Sequence, residues 1–421
     1  VISITTLLMN CARTETRGDP RTVRFRFVRA YVRLLRNRRY RLLWTGSAIS
    51  DIGDGASWIA LAWTVYSLEG SAADLGILFV LYTAPVALGG PLAGIALDRF
   101  DRRRLMIADN LARAAVFAAV PVLYAAGELA TWHLYTAAAV YGLLKLVPLA
   151  GVPSLVPDLV PDEELDAANA METIGYSLGV IVGPALGGIA LTFVDGPYVL
   201  AADAASYVFF AWNLLRIGEV RSAVERTLKS GLRPALRLIV GSRILLVTTI
   251  MFMFVNVGEG LVAVLLPVYA DELGRGAGAF GAMVAIGAAA GLVGAAVGGS
   301  LGGRISHVAA IGLCQVAAGL ALAPLVSVPP LALGVAALGV CWLFLGPLTV
   351  WAQTLRMREI PAELRGRVFG TLRTAMQAAY PLGGALAPPL VEHGGVSLGF
   401  LGALLALALP GVVGLAILRR S

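Results

Sequence analysis

Apolar residues run along this chain in long blocks separated by short polar interruptions, and the length of the blocks sets the reading. A helix needs about 20 mostly apolar residues to cross a hydrocarbon core. Windows of that size fall near residues 42–66, 75–97, 105–126, 133–155, 168–193 and 198–216. A second set falls near 245–269, 279–302, 307–326, 330–354, 368–390 and 396–418. The pattern predicts an all-α membrane protein of twelve transmembrane helices in two pseudo-symmetric six-helix bundles. The polar interruptions divide it into a basic tail over 1–39, a first bundle over 40–217, a linker over 218–243 and a second bundle over 244–421. In the linker, Lys229, Arg233 and Arg237 stand at helical spacing against Leu232, Leu236 and Ile239. That is the pattern of an amphipathic helix lying on a membrane surface.

Composition agrees with the blocks. Charged residues are 14% of the chain and mean hydropathy is +0.80, against about 25% charged in a soluble domain. The formal net charge is +7, and its distribution points to topology rather than to nucleic acid. Of the 33 Lys and Arg residues, 29 fall in the tails and on the loops of one side, while the other side has Arg275. Arg113, Lys145 and Arg373 remain inside spans. By the positive-inside rule both termini are cytoplasmic, which requires an even number of spans. The Arg-rich start lacks the apolar region of a signal peptide and reads as a cytoplasmic tail. Cys11, Cys314 and Cys341, and His133, His307 and His393, show no metal-ligand or disulfide spacing, so no metal and no cofactor are expected.

The two halves read as copies. Asp51-Ile52-Gly53-Asp54-Gly55 corresponds to Asn256-Val257-Gly258-Glu259-Gly260 at an offset of 205, and the same offset carries Gly89, Gly94 and Arg99 onto Gly294, Gly299 and Arg304. Repeated bundles with solute at their interface are a transporter architecture.

Several segments then resemble the major facilitator superfamily, over essentially residues 36–421. After span two, Gly94-Ile-Ala-Leu97-Asp98-Arg99-Phe100-Asp101-Arg102-Arg103 is similar to the family's loop signature, with Asp101 in place of its second glycine. Span five carries Gly179-Val-Ile-Val-Gly183-Pro184-Ala-Leu-Gly187-Gly188, which matches the family's antiporter motif at every specified position. Asn37-Arg38-Arg39-Tyr40, Leu155-Val-Pro157-Asp-Leu159-Val-Pro161 and the segment from Pro361 to Gly370 resemble the branch of macrolide-efflux and enterobactin-export proteins. The resemblance implies a drug:proton antiporter of the bacterial inner membrane. It also implies a latch at Gly94, Asp98, Arg99, Arg102 and Arg103 that ties the halves together in the outward-facing state. The family's span-four arginine has no clear match, and Lys145 is the basic residue there.

The residues give further candidates. Asp54 and Glu259 lie deep in their spans, roughly 20 Å from the cytoplasmic end at 1.5 Å per residue. An ionised aspartate at such depth costs about 2.5–3.5 kcal/mol on insertion scales. Such a group fits proton coupling or substrate contact, or alternatively a glycine-flanked helix distortion. Asp51 and its counterpart Asn256 are weaker candidates for the same role. Lys145, too deep to reach water, needs a partner, for which Asp54 is the expectation. Asp109 and Arg113, four residues apart, are expected to neutralise each other. Asp203 reads as a structural cap, and Glu172 as solvated. The glycines of span five allow a close helix approach, and Pro184 introduces a kink.

The function expected is proton-coupled export of lipophilic small molecules, drug-like or siderophore-like, by alternating access. The cavity would be built from spans one, four, seven and ten or their neighbours. Trp44, Trp58, Trp63, Trp342, Phe344 and Trp351 are candidate wall residues, and equally candidate lipid or interface contacts. The partners expected are the lipid bilayer, a small-molecule substrate and protons, with no nucleic acid and a monomeric state. A proton-coupled nutrient importer is the alternative, and a non-transporting receptor or scaffold a more distant one. No phosphate-binding Gly-x-x-x-x-Gly-Lys-Ser/Thr motif and no nucleophile–base set argue for an enzyme.

Overall fold

A computed structural model of the chain describes residues 31–88, 99–219, 233–301, 307–361 and 364–418. Every regular element among them is helical. In chain order these are α1 (Arg38–Glu69), α2 (Ala72–Leu88), α3 (Arg102–Ala125), α4 (Thr131–Leu144), α5 (Leu146–Leu159), α6 (Leu165–Ala190) and α7 (Gly196–Ile217). A short α8 (Arg233–Gly241) falls in the linker. The second half holds α9 (Arg243–Glu272), α10 (Gly276–Leu301), α11 (His307–Ala321), α12 (Leu331–Glu359), α13 (Arg365–Gln377) and α14 (Tyr380–Leu418).

Nine stretches among the described residues are long and apolar enough to cross a membrane. Three features separate that number from the expected twelve. Val368–Ile417 runs 50 residues and is broken at Gly394 and Gly395, the latter at φ 65°. Ala72–Ala87 is apolar but short, and the residues that continue it, 89–98, lie outside the described ones. α1 is 32 residues long but carries Asp51 and Asp54 in its middle, which lowers its hydropathy. α4 and α5 form one crossing, Thr131–Leu159, interrupted at Lys145. There Pro148 has no N–H to donate back to the fourth residue before it.

Local chemistry sets the helix ends. Asn37 caps α1, its side-chain oxygen accepting from the amides of Arg39 at 3.1 Å and Tyr40 at 3.3 Å. Its amide donates to Leu159 O at 2.7 Å, tying the start of α1 to the end of α5. Tyr40 is fully buried and donates to Ala168 O at 3.1 Å, so the Asn-Arg-Arg-Tyr segment is first of all a helix-start lock. Asp101 caps α3 through the Arg104 amide at 2.7 Å, which is what the aspartate does where the family signature has glycine. α1 ends at Gly70, in the left-handed region at φ 64°.

In the first half α1 packs on α6 and α7, α3 on α7, and α2 on α4; in the second, α9 packs on α14, α10 on α12, and α11 on α12 and α14. The halves meet where α6 crosses α10 and α2 crosses α14. Small residues make both crossings possible: a Cβ at Gly188 would come to 2.8 Å from the Gly281 Cα across the seam. Phe79 of α2 packs on Tyr380 with ring centroids 4.9 Å apart. At the far end of α1, the Tyr66 hydroxyl donates to Asp271 of α9 at 3.3 Å, two residues 205 positions apart in the chain. They are repeat counterparts, so their contact lies on the pseudo-two-fold axis. Outward faces are apolar, with Val122, Phe193, Leu320 and Val413 exposed. A surface of that kind suits lipid, where the helices satisfy their own backbone groups.

Candidate functional site

Between the halves lies a cavity of about 370 Å³, within the range of drug-sized ligand sites. α1, α2, the α4–α5 junction, α6, α9, α10, α12, α13 and Tyr380 of α14 all contribute to it. Its wall is chiefly apolar and aromatic, with Trp58, Phe79, Tyr82, Tyr141, Trp342 and Tyr380 prominent. Tyr82 and Tyr141 stack at 4.2 Å, and Trp58 packs on Tyr82 at 5.0 Å. Five charged residues reach this wall: Asp51, Asp54, Lys145, Glu259 and Arg373.

The charges of the first half form one network. Asp51 and Asp54 sit one turn apart on α1, and Lys145 projects from the α4–α5 junction between them. Its ammonium donates to Asp51 Oδ1 at 2.8 Å and also to Asp54 Oδ2. The other oxygen of Asp54 accepts from the Tyr207 hydroxyl at 2.6 Å and faces Arg113 Nη1 at 3.6 Å. Arg113 is 0% exposed. It pairs with Asp109 at 2.7 Å and lies over the Tyr207 ring at 4.2 Å. The neutralisation of Asp109 is therefore only half of what Arg113 does; it also completes the surroundings of Asp54. Asp203 is not a helix cap. It is 2% exposed, lies mid-helix on α7, and accepts from Ser57 of α1 at 2.6 Å and Ser206 at 2.8 Å. Glu172 is half-buried rather than solvated, with the Tyr40 hydroxyl 3.5 Å away.

The second half is plainer. Glu259 accepts from Trp342 Nε1 at 3.2 Å, and Asn256 donates to Met376 O at 2.7 Å, so the counterpart of Asp51 braces α13 instead of meeting a cation. Of the tryptophans, Trp58 and Trp342 line the cavity. Trp44 donates to Met171 O at 2.7 Å and Trp351 to Gly298 O at 2.8 Å, both inside the helix packing.

The span-five glycines bring α6 onto α1. A Cβ at Gly183 would lie 2.8 Å from the Gly55 Cα, so the motif holds α6 directly behind the turn that carries Asp54. Gly94 and Asp98 lie outside the described residues. Arg99 is exposed. Arg102 donates to Ser154 O at 3.2 Å, and Arg103 donates to Leu214 O at 2.6 Å and Leu215 O at 2.9 Å. Those two carbonyls belong to the last turn of α7, which Arg103 caps. Among the described residues, no group of three His, Cys, Asp or Glu side chains could hold a metal ion.

Tyr207, Asp203, Tyr380, Arg373 and Gln377 belong to the site without having been singled out for it from sequence. The available signal was the spacing of Asp203 and Tyr207, four residues apart on a mostly apolar helix. For Arg373 it was the presence of a cation within a span.

Comparison with known proteins places this architecture. The multidrug efflux pump Tap of Mycolicibacterium fortuitum is 27% identical over 376 residues, covering 86% of this chain and 91% of that protein. Tap of Mycobacterium tuberculosis is 29% identical over 385 residues, covering 88% and 90%. Macrolide efflux protein A of Streptococcus pyogenes is 24% identical, covering 86% and 92%. Among solved structures, the nucleoside transporter NupG superposes with a TM-score of 0.73 at 14% identity over 91% of this chain and 99% of its own. A bacterial homologue of the iron transporter ferroportin, in its inward-facing state, gives 0.71 at 17% identity over 91% and 98%. The family's sequence profile matches residues 43–384, and the chain belongs to the Major Facilitator Superfamily.

Proposed function

We propose that this protein is a proton-driven exporter of lipophilic small molecules, working by alternating access in a bacterial inner membrane with both termini cytoplasmic. The observation that carries the reading is the Asp51–Lys145–Asp54 network opening onto an aromatic cavity between two bundles. Relatives named for multidrug and macrolide efflux support the cargo class, and the antiporter motif on α6 supports the direction. Contacts of Gly188 with Gly281 and of Tyr66 with Asp271 join the halves at the end away from the termini, the side that would be sealed if the cavity opened toward the termini.

What Asp54 holds together supports proton coupling. Its ionised carboxylate ties α1 to Lys145, to Tyr207 of α7 and to Arg113 of α3. A proton on Asp54 cancels the charge that attracts both cations and leaves a hydroxyl competing with that of Tyr207. The grip of α1 on three neighbours then loosens, and a ligand can differentiate the two resulting arrangements. Lys145 remains paired with Asp51 throughout.

The test is efflux of a lipophilic fluorescent dye from energised cells expressing the wild type, Asp54→Asn or Glu259→Gln at matched levels, with an uncoupler control. Wild-type efflux that stops with the uncoupler and falls at least tenfold in Asp54→Asn is the expected result. Uncoupler-insensitive movement, or full activity in Asp54→Asn, would overturn the reading.

A further inference from the structure

The five charged residues on the cavity wall divide by half. Asp51, Asp54 and Lys145 are satisfied by one another. Glu259 and Arg373 form no ion pair among the described residues. Arg373 is exposed on α13, with Gln377 one turn along the same face and also on the cavity wall. Glu259 has one neutral hydrogen bond, from the indole of Trp342. An unpaired carboxylate in a low-dielectric wall is costly, and that cost is relieved when a ligand brings a cation, while the exposed guanidinium of Arg373 is open to an anion.

Position makes the two residues a pair of subsites. Asn256 of α9 meets Met376 of α13; Glu259 lies three residues beyond the first and Arg373 three before the second, a separation of about 9 Å of helix rise. Trp342, Tyr380, Trp58 and Phe79 supply ring faces on the same wall. Such faces accept flat apolar bodies and, beside a carboxylate, cations. A guanidinium with an adjacent amide is suited to a planar carboxylate-type anion.

We infer that Glu259 and Arg373 are the charge-reading subsites of this cavity, and that its solute is a zwitterionic amphiphile. Its ring-bearing apolar body lies along the aromatic wall, its cationic group is held at Glu259 and its anionic group at Arg373 and Gln377. The inference rests on the cavity being the solute site of the proposed exporter. It assigns solute selection to the second half and leaves the paired charges of the first half to proton coupling.

Rhodamine B, a zwitterion at neutral pH, and its ethyl ester, a cation on the same ring system, are matched probes. Equilibrium binding of each to the purified full-length protein in nanodiscs is read by fluorescence anisotropy for wild type, Arg373→Gln, Arg373→Lys and Glu259→Gln. The expected result is that the zwitterion-to-ester affinity ratio falls about tenfold in Arg373→Gln, is partly recovered in Arg373→Lys, which keeps the charge without the planar fork, and that Glu259→Gln weakens both dyes. An unchanged ratio in Arg373→Gln, or no wild-type binding of rhodamine B, overturns the inference. Gradient-driven transport of the ester into proteoliposomes tests the underlying reading separately. Transport without an Arg373-dependent ratio removes the subsites and keeps the exporter. An Arg373-dependent ratio without transport keeps the subsites and removes the exporter.

Discussion

The first and second halves begin from corresponding sequences and treat charge in opposite ways. Asp51 and Asp54 on α1 become Asn256 and Glu259 on α9. Asp109 and Arg113 on α3 become Cys314 and Ala318 on α11, whose start lies 205 residues after that of α3. One half encloses a network of carboxylates, cations and a tyrosine that closes on itself. The other has replaced most of that network with neutral side chains and keeps two separate charges on the cavity wall. A duplicated scaffold preserves helix packing, because packing depends on small residues at crossings. Membrane-depth charges are freer to diverge, because each is tolerated only where something within reach answers it.

The comparison can be broken most severely at Arg113. Arg113→Leu leaves Asp109 and Asp54 buried without their shared cation, and the expected loss is about 3–5 kcal/mol. It would be read as a lowered midpoint in thermal unfolding of the purified protein. The double variant Asp109→Asn/Arg113→Leu should regain much of that loss; a single-variant loss below about 1 kcal/mol would show that the network is not structural.

Importing the first half's chemistry into the second is the next largest perturbation. Asn256→Asp forfeits the bond to Met376 O and sets an acid beside Glu259 with no lysine opposite, at an expected cost of about 2.5–3.5 kcal/mol. Stability equal to wild type in the same melt would mean that the second half tolerates paired acids as well as the first.

Within the network, Asp54 should matter more than Asp51, because it contacts Lys145, Tyr207 and Arg113 whereas Asp51 contacts Lys145. Gradient-driven uptake in proteoliposomes should therefore drop at least tenfold in Asp54→Asn and only a few-fold in Asp51→Asn. Equal losses would reassign the proton to the pair as a unit. The smallest effect is expected on the symmetry axis: Tyr66→Phe removes one exposed hydrogen bond, worth about 0.5–1 kcal/mol. Spin-label distances across the far ends of α1 and α9 should shift their open fraction by a few-fold at most.

Much of the fold is legible in the sequence because a run of about 20 apolar residues has few alternatives to crossing a bilayer. The repeat is legible because its offset persists from the Asp54 turn to the start of the third crossing in each half. The meeting of Lys145 with Asp54 is legible too, since a deep lysine must find an acid. Arg113 shows the limit of that reasoning. Its nearest acid in sequence, Asp109, satisfies the pairing rule within one helix and hides the second contact, which depends on how α3 faces α1. Asp203 and Tyr207 are harder still. Their spacing puts both on one face of α7, but which neighbour that face meets is set by the rotation of α7 against α1 at Ser57, a packing outcome that the spacing does not encode. Arg103, a latch candidate by position, also caps α7, a role that requires knowing where a distant helix ends.

The Gly188–Gly281 crossing has a mechanical consequence. Two backbones in contact without side chains form a smooth bearing at that point, with no rotamers to disengage there, whereas the Phe79–Tyr380 and Tyr66–Asp271 contacts elsewhere between the halves must part. A seam of leucines would be a ratchet, gripping equally well but releasing in steps. With glycine on both surfaces at this crossing, the resistance to the proposed stroke falls elsewhere, on the ring contact of Phe79 with Tyr380 and on the charges at the centre.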